Sequence, residues 1–283
     1  MPRASALVFG LTALLFIIGP YARLKGEADD SESLAAEERE ATSRMIREEL
    51  PNWKLWADND RDRELTLESK PVLRWTNPGV GRVYGDVYVW THKGRPEAVI
   101  SFYKGWKPVY SFTAEMHSLS LGRLTGQRAG VRLWQTEQPG VTLKDVPDSP
   151  KPADTARRRL QQMRTLAGDF SAKLVDRRLN LDGEQQELRL LTQPLYRYEA
   201  DGEELLDGAL FAIVLGTDPE VFLLLEARQK QGTHKWQFGL ARMNMDPIVV
   251  SFKDREVWRV EKGTFQGPPE DVYRVQNQLP FGP

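Results

Sequence analysis

The feature that most limits the fold is a similarity between the two halves of the chain. The stretch YGDVYVWTHKGRPEAVISFY, from Tyr84, matches DGALFAIVLGTDPEVFLLLE, from Asp207, at a spacing of 123 residues. LRWTNP matches LRLLTQP, with Thr76 and Pro78 lying 116 residues before Thr192 and Pro194, and VRLW matches REVW at 124. The extra residues of the second half lie in a polar turn segment, where insertions lower the stability of a fold only slightly. These ordered blocks predict an internal duplication, and the alternative is chance agreement between short apolar strands.

Both halves have the sequence character of antiparallel strands. Over residues 65–134 and 188–260, Tyr, Val, Trp, Thr and Phe are punctuated by Gly and Pro. Residues 87–90 are expected to turn through KGRP into residues 98–103. A parallel sheet needs a crossover after every strand, whereas short turns separate these strands. The sequence predicts an α+β protein of two similar helix-plus-antiparallel-sheet units in one compact body.

A charged helix is predicted ahead of each strand block. The first covers residues 33–50 and stops at Pro51. The second is capped by Asp154, and we expect Arg157, Arg158 and Arg159 on its solvated side rather than in an anion or membrane-surface patch. Its apolar face recurs at spacings of three and four residues and consists of Ala156, Leu160, Met163, Ala167, Phe170 and Leu174.

Five segments follow from this pattern. They are a signal peptide or N-terminal anchor (1–22), a first helix-plus-sheet unit (23–138), a proline-containing linker (139–153), a second unit (154–262) and a polar tail (263–283).

The N-terminus has the pattern of an export signal. Arg3 and the free amine precede an apolar and small-residue run, ASALVFGLTALLFIIGPYA, over residues 4–22. The run is long for a signal peptide and barely long enough to cross a bilayer. A cleaved signal and a retained membrane anchor are the alternatives. Both place the body outside the cytoplasm, in the periplasm or the extracellular space, and membrane contact is expected only through an uncleaved segment.

Composition excludes several classes of function. The 283 residues include no cysteine, which excludes disulfides, thiol catalysis and Cys-ligated metals. Lys and Arg number 39 against 40 Asp and Glu, and this balance argues against a nucleic-acid partner. The sequence contains no phosphate-binding loop, nucleophile elbow or HExxH pattern, and its three histidines lack the spacing of metal ligands. Neither a cofactor nor a metal is predicted.

The tryptophans are candidates for ligand contact. The chain has eight, six of them in or beside predicted strands. Indole rings can form a stacking face for an envelope glycan, although tryptophan on a strand more often packs in the core. Trp106 lies in KGWKP, which predicts a turn-like loop, and is therefore the ring most expected to bind a ligand.

The predicted reactive site is Glu115, His117 and Ser118. Glu115 and His117 share a face of a predicted strand, about 7 Å apart, where a carboxylate would raise the imidazole pKa. Ser118 points the other way, so a Ser–His pair needs a bulge or another serine. The second half, where Arg242 and Asn244 are matched to Glu115 and His117, lacks the pair. The alternative is a structural histidine.

Six strings carry a further similarity: PVLRWTNP, WTHKGRPEA, EMHSLS, LRLLTQPLYRY, DGALFAIVLGTDPEVFLLLEAR and WQFGLARM. Over residues 67–260 the chain resembles a family of exported planctomycete proteins. The resemblance implies export and one coherent unit, and it implies no activity, ligand or catalytic residue. We therefore expect a non-enzymatic binding or interaction module of the cell envelope, with a glycan or a protein as partner. The alternative is a hydrolase-type enzyme with a site near His117.

Overall fold

The computed structural model describes residues 19–58, 60–107, 110–176, 184–199, 204–230 and 232–277, with backbone alone at 19–30, 61, 107, 176 and 184. The chain divides into two compact units between Glu38 and Arg39. Residues 19–38 of the first unit are helical, and every strand belongs to the second. The export signal predicted at residues 1–22 lies almost wholly outside the described residues. No helix in the described ranges has both the length and the apolar character needed to cross a membrane.

Strands dominate the described residues, which contain only two α-helices, α1 (Gly19–Glu49) and α2 (Ala156–Gly168). The strands before α2 are β1 (Trp53–Ala57), β2 (Thr66–Leu67), β3 (Leu73–Thr76), β4 (Arg82–His92), β5 (Arg95–Lys107), β6 (Phe112–Ser118), β7 (Leu124–Arg128), β8 (Val131–Gln135) and β9 (Lys144–Asp145). Those after it are β10 (Phe170–Asp176), β11 (Glu184–Leu190), β12 (Tyr196–Tyr198), β13 (Leu205–Leu215), β14 (Asp218–Lys230), β15 (Thr233–Arg242), β16 (Ile248–Phe252), β17 (Arg255–Val260) and β18 (Tyr273–Gln276).

The strands form three sheets, and their pairings are antiparallel. The orders are β1-β7-β8, β17-β16-β10-β11-β13-β14-β15-β9 and β18-β6-β5-β4-β2. β12 also pairs with β13, and β3 with β4. The predicted hairpin is confirmed and longer than expected, since β4 and β5 join through Lys93 and Gly94 at φ of 49° and 84°. The antiparallel prediction is confirmed, with sheet content greater than expected.

Three apolar clusters form the core. One packs Ile46 of α1 against the sheets of the first half, and another packs Met163 of α2 against those of the second. The third contains residues from both halves, including Val87 and Val99 on one side and Phe222 on the other. The central strands are therefore buried on both faces, which explains their nearly continuous apolar sequence.

The central registers recur 123 residues apart. Trp75 of β3 pairs with Gly85 of β4, and Tyr198 of β12 pairs with Gly208 of β13. In each case the ring lies over the glycine, because a Cβ there would come within 2.5 Å of the Trp75 ring or 2.4 Å of the Tyr198 ring. These positions require glycine for a close approach rather than for an unusual backbone angle.

The irregularities of the sheets recur as well. The register shifts after Trp90 in β4 and after Ile213 in β13, again 123 residues apart. It also shifts after Gly126 in β7 and after Val250 in β16, at a spacing of 124. Bulges depend on local backbone geometry, and these recur at nearly the same spacing as the paired registers.

The registers correct two matches drawn from the sequence. β12 occupies in the second half the place of β3 in the first, so Leu73 corresponds to Tyr196 and not to Leu188. His117 pairs with Val99, while Ala241 pairs with the counterpart Phe222. The position corresponding to His117 is therefore Ala241 and not Asn244.

The second helix differs from its prediction in length, cap and exposure. It ends at Gly168, and Phe170 and Leu174 lie on β10 instead. Its cap is Thr155, whose hydroxyl accepts from the Arg158 amide, and not Asp154. Arg159 is buried rather than solvated. The same spacing of apolar residues fits one long helix or a shorter helix followed by a strand. The sequence pattern did not distinguish these two structures.

The first helix begins before residue 33 and ends at Glu49, directly before the 3₁₀ turn that holds Pro51. Its predicted end is therefore confirmed, because proline fixes the position at which a helix must stop.

The segments that follow each half pair with the opposite half. β9, within the predicted linker, pairs with β15, and Val141 and Val146 beside it are buried. β18, within the predicted tail, pairs with β6. The boundaries at 139–153 and 263 stay predictions, and both segments contribute strands to the sheets.

Candidate functional site

His117 is a buried histidine held by its own backbone. Its side chain is 3% exposed, and Nδ1 lies 2.7 Å from the carbonyl oxygen of Ser118. Since a carbonyl only accepts, the neutral ring carries its proton on Nδ1. The pKa of His117 is lowered to about 4, mainly by burial and also by the Arg242 charge, while the hydrogen bond to Ser118 acts in the opposite direction. The expected rise in pKa is wrong, because burial outweighs any nearby carboxylate.

Glu115 and Ser118 are engaged elsewhere. The Tyr273 hydroxyl donates to Glu115, and the Tyr273 ring lies 6.1 Å from the His117 ring, so the tyrosine stands beside both residues. Ser118 is fully buried, and its hydroxyl accepts from the Ser120 amide at 3.3 Å. Among the described residues, no hydroxyl is hydrogen-bonded to the His117 ring. The three predicted residues are adjacent but do not form an acid–base or nucleophilic relay.

Trp106 lies at the end of β5, not in a loop. Its indole Nε1–H donates to Thr42 of α1 at 2.9 Å, which leaves the ring half-buried. The Lys104 ammonium lies 5.6 Å from the centre of the ring. The ring is therefore an attachment point for α1 rather than the freely exposed platform that the KGWKP sequence suggested.

A first cavity, of about 480 Å³, is lined by His117, Arg242, Tyr273, Lys144, Trp258 and other residues of both halves. Its basic groups are already engaged. Arg242 donates to three backbone carbonyl oxygens and lies 5.0 Å over the Tyr273 ring, and Lys144 donates to a further carbonyl. We call this the histidine cavity.

A second cavity, of about 560 Å³, has the chemistry of a ligand site. We call it the tryptophan cavity. Trp75 and Tyr103 form two of its walls, with ring centres 5.4 Å apart and planes inclined at 58°. Its apolar surface is completed by Val80, Val83, Met243, Met245, Phe265 and Val275. Its polar groups are Glu115, Asp218, Asp246, Asn244, Asn277, Ser111 and Lys262. Many apolar walls with a few polar groups are typical of small-molecule sites.

The corresponding place in the other half contains a buried ion network, which we call the arginine network. Arg95 donates to Glu226 at 2.9 Å and to Glu97 at 3.0 Å. Glu226 is fully buried and also accepts from the Tyr198 hydroxyl at 2.8 Å and from Arg228 at 3.0 Å. Both guanidinium groups thus donate to Glu226 of β14, and that of Arg95 reaches it from β5.

At the tryptophan cavity, other residues stand in place of Arg95 and Arg228. At the 123-residue spacing, Asp218 stands in place of Arg95 and Gly105 in place of Arg228. Tyr103 stands in place of Glu226, and Trp75 in place of Tyr198. A short carboxylate and a glycine occupy much less volume than two arginine side chains. The space that one half fills with its own cations is therefore open in the other.

Sequence reasoning missed this site. Its lining comes from β3, β4, β5, β6, β14, the loop after β15 and the segment around β18, and no short motif joins these elements. The signal was nevertheless present in the aligned halves, as the differences Arg95/Asp218 and Arg228/Gly105. It could be read only with the correct register.

No family model, no curated protein and no solved structure matches this chain. Within the described ranges, no group of three or more His, Asp or Glu side chains is placed to hold a metal ion.

Proposed function

We propose that this protein is an exported, non-enzymatic binding module of the cell envelope and that the tryptophan cavity is its ligand site. The observation that carries the proposal is the contrast between the halves, since one interface is filled by Arg95 and Arg228 and the other is open. An aromatic-walled cavity of about 560 Å³ is within the usual size of small-ligand sites. Export rests on the apolar run over residues 4–22.

We further propose that the two halves arose by internal duplication. The recurring bulges support it, and so do the hairpin tips. Thr217, at the tip of β13–β14, exchanges hydrogen bonds of 2.9 and 2.8 Å with the backbone of Thr76. Gly94, at the corresponding tip of β4–β5, lies against the carbonyl of Glu199, which corresponds to Thr76. Each hairpin thus meets the other half in the same way, as two copies related by a two-fold axis would.

The alternative, a hydrolase site at His117, has less support. A histidine with a pKa of about 4 is a weak base at neutral pH, and its Nδ1 is bound to a backbone carbonyl. The serine beside it faces away and is hydrogen-bonded to Ser120. Binding requires none of these groups to react.

The test introduces an arginine into the tryptophan cavity, as in the arginine network of the other half. Asp218→Arg places an arginine where Arg95 stands in the first half, and Glu137→Arg makes the same charge change at an exposed position. Fragments, envelope saccharides and amines are screened by NMR, with the Trp75 indole N–H as reporter. We expect compounds that shift this signal in the wild type and in Glu137→Arg to lose at least about tenfold in affinity in Asp218→Arg, a cost of about 1.4 kcal/mol.

Two outcomes contradict the proposal. One is that no compound of any class shifts the Trp75 signal, and the other is that binding survives in a folded Asp218→Arg protein. Thermal unfolding of both variants establishes that they are folded. Turnover of a polysaccharide or ester substrate that is lost in His117→Ala would favour the hydrolase instead.

A further inference from the structure

We infer that the tryptophan cavity selects an organic cation, an ammonium or guanidinium group carried on a short carbon chain. The inference rests on the proposed binding function and specifies its ligand class. Four observations carry it: the balance of charge, the aromatic and thioether walls, the cation held at the corresponding place in the other half, and a buried carboxylate that faces the cavity.

The charge of the lining is negative. Glu115, Asp218 and Asp246 contribute three carboxylates, and Lys262, an exposed residue, is the lysine among the lining residues. Arg242 lines the histidine cavity, donates to backbone carbonyls and interacts electrostatically with Glu115 and Asp246, so it offsets part of this negative charge. A concave surface with low-dielectric walls concentrates the field of its fixed charges, so the cavity favours cations and disfavours anions.

The walls suit the carbon body of such a ligand. Trp75 and Tyr103 form a corner, and the faces of aromatic rings attract cations through their quadrupoles. Met243 and Met245 add flexible thioethers that fit chains of different shape. Phe265 is 49% exposed at the cavity and can cover a bound carbon chain. Rings beside carboxylates recognise a positive charge and methylene groups together.

The other half shows which chemistry this space accommodates. There the Arg95 guanidinium lies between the carboxylates of Glu97 and Glu226. In the second half the counterpart of Glu97 is Glu220, which is fully buried and accepts from Asn244, a residue that lines the cavity. The acid that follows the hairpin proline is kept in both halves, whereas the arginine is not. Of the two carboxylates that hold Arg95, Glu97 has an acidic counterpart in Glu220, which contacts the cavity through Asn244, whereas Tyr103 stands in place of Glu226.

The Asp246 carboxylate provides an independent observation. Asp246 is only 7% exposed and lines the cavity. Its backbone amide donates to Asn244 at 2.8 Å, but no hydrogen bond or ion pair to its carboxylate occurs among the described residues. Its charge interacts with the Arg242 guanidinium, and its carboxylate oxygens are open to a ligand that brings a proton donor or a positive charge.

The experiment compares ligands that differ in charge but not in length. Hexane-1,6-diamine and agmatine are the cationic probes, and hexane-1,6-diol is the neutral one, all titrated into the full chain by calorimetry. We expect the diamine to bind at least about tenfold more tightly than the diol, because hydrogen bonds from a charged group are stronger than those from a neutral one. A tenfold difference corresponds to about 1.4 kcal/mol. Added salt should weaken the binding of the diamine more than that of the diol.

The variants locate the charge. Asp246→Asn keeps the shape and the backbone bonds of the residue and should lower the affinity for the diamine about tenfold, with the diol unchanged. Glu137→Gln removes one acidic charge from an exposed position and should leave both affinities unchanged.

Each alternative result has a distinct meaning. Equal binding of the diol and the diamine, or an unaltered diamine affinity in Asp246→Asn, overturns the inference. Binding of a neutral saccharide at the Trp75 signal without binding of either cation overturns the inference and leaves the proposed binding function intact. Absence of binding by every class of probe contradicts the proposed function itself.

Discussion

At the scale of single residues, the burial of His117 makes stability depend on pH. Its pKa of about 4 in the folded protein lies below the ordinary value of about 6.5, so folding favours the neutral ring. The contribution of His117 to stability is complete above pH 6.5 and is lost as the pH falls through 6.5 towards 4. By linkage this amounts to roughly 3 kcal/mol.

Urea unfolding of the wild type and of His117→Gln between pH 7 and pH 4 measures this contribution. We expect the free energy of unfolding to fall by about 3 kcal/mol more in the wild type than in the variant, because glutamine does not titrate. Equal losses of stability in the two proteins would contradict this prediction.

Because burial is the main cause of the low pKa of His117, Glu115→Gln should leave that pKa, followed by NMR, unchanged. A shift of about one unit or more would show that the carboxylate governs the ring.

Two glycines illustrate how closely rings approach the backbone. Gly85→Ala and Gly208→Ala should each lower the free energy of unfolding by about 1–3 kcal/mol, because a Cβ overlaps the Trp75 or Tyr198 ring. Gly168→Ala is the matched control, since nothing lies within 4 Å of its Cβ position and alanine favours the last turn of α2. Chemical denaturation measures all three. Equal stability of the three variants would show that the rings move aside without cost.

At the scale of elements, only one of the three consecutive arginines of α2 attaches the helix to β13. Arg159 donates to Asp207 at 2.7 Å, and both side chains are almost completely buried. Arg157 and Arg158 on the same turn are exposed. Arg159 occupies the side of the helix that packs against β13, which is why only this member of the triplet forms a buried ion pair.

Arg159→Met should therefore lower the free energy of unfolding by about 2–4 kcal/mol, since it removes one partner from a buried carboxylate. Asp207 retains its bonds to Arg197, which keeps the loss below that of a wholly unpaired charge. Arg158→Met, the neighbouring control, should change stability by less than about 0.5 kcal/mol. Thermal and urea unfolding provide the comparison, and equal effects of the two substitutions would refute the role of the ion pair.

At the scale of the whole molecule, β9 and β18 join the two halves. The first follows one half and pairs with β15 of the other, and the second follows the later half and pairs back with β6. One of the three core clusters is also shared between them. Neither half completes its sheet from its own residues alone.

We expect residues 39–277 to unfold in one cooperative transition, with equal calorimetric and van't Hoff enthalpies. Removal of residues 263–283 should increase amide hydrogen exchange in β6, the distant strand that loses its neighbour, and lower the melting temperature. Two separate transitions, or faster exchange confined to residues near Val260, would show that the halves are independent domains.

Some of this architecture was determined by the sequence itself. The β4–β5 hairpin, its turn at Lys93 and Gly94, and the end of α1 before Pro51 all depend on local chemistry: alternation of apolar residues, positive φ at a turn, and the geometry of proline. The antiparallel class follows from short turns between strands. None of these conclusions requires knowledge of which distant residues meet.

The tertiary structure decided the rest, because the remaining properties depend on contacts between distant segments. Phe170 has helical spacing from Met163 but lies on β10, where Phe238 and Phe252 pack against it. The low pKa of His117 comes from burial that its neighbours in sequence do not reveal. The tryptophan cavity exists where Trp75 and Asp218, 143 residues apart in the chain, line one space. A cavity depends on which side chains pack against one another. The sequence gives the size of each side chain but not which distant side chains come into contact.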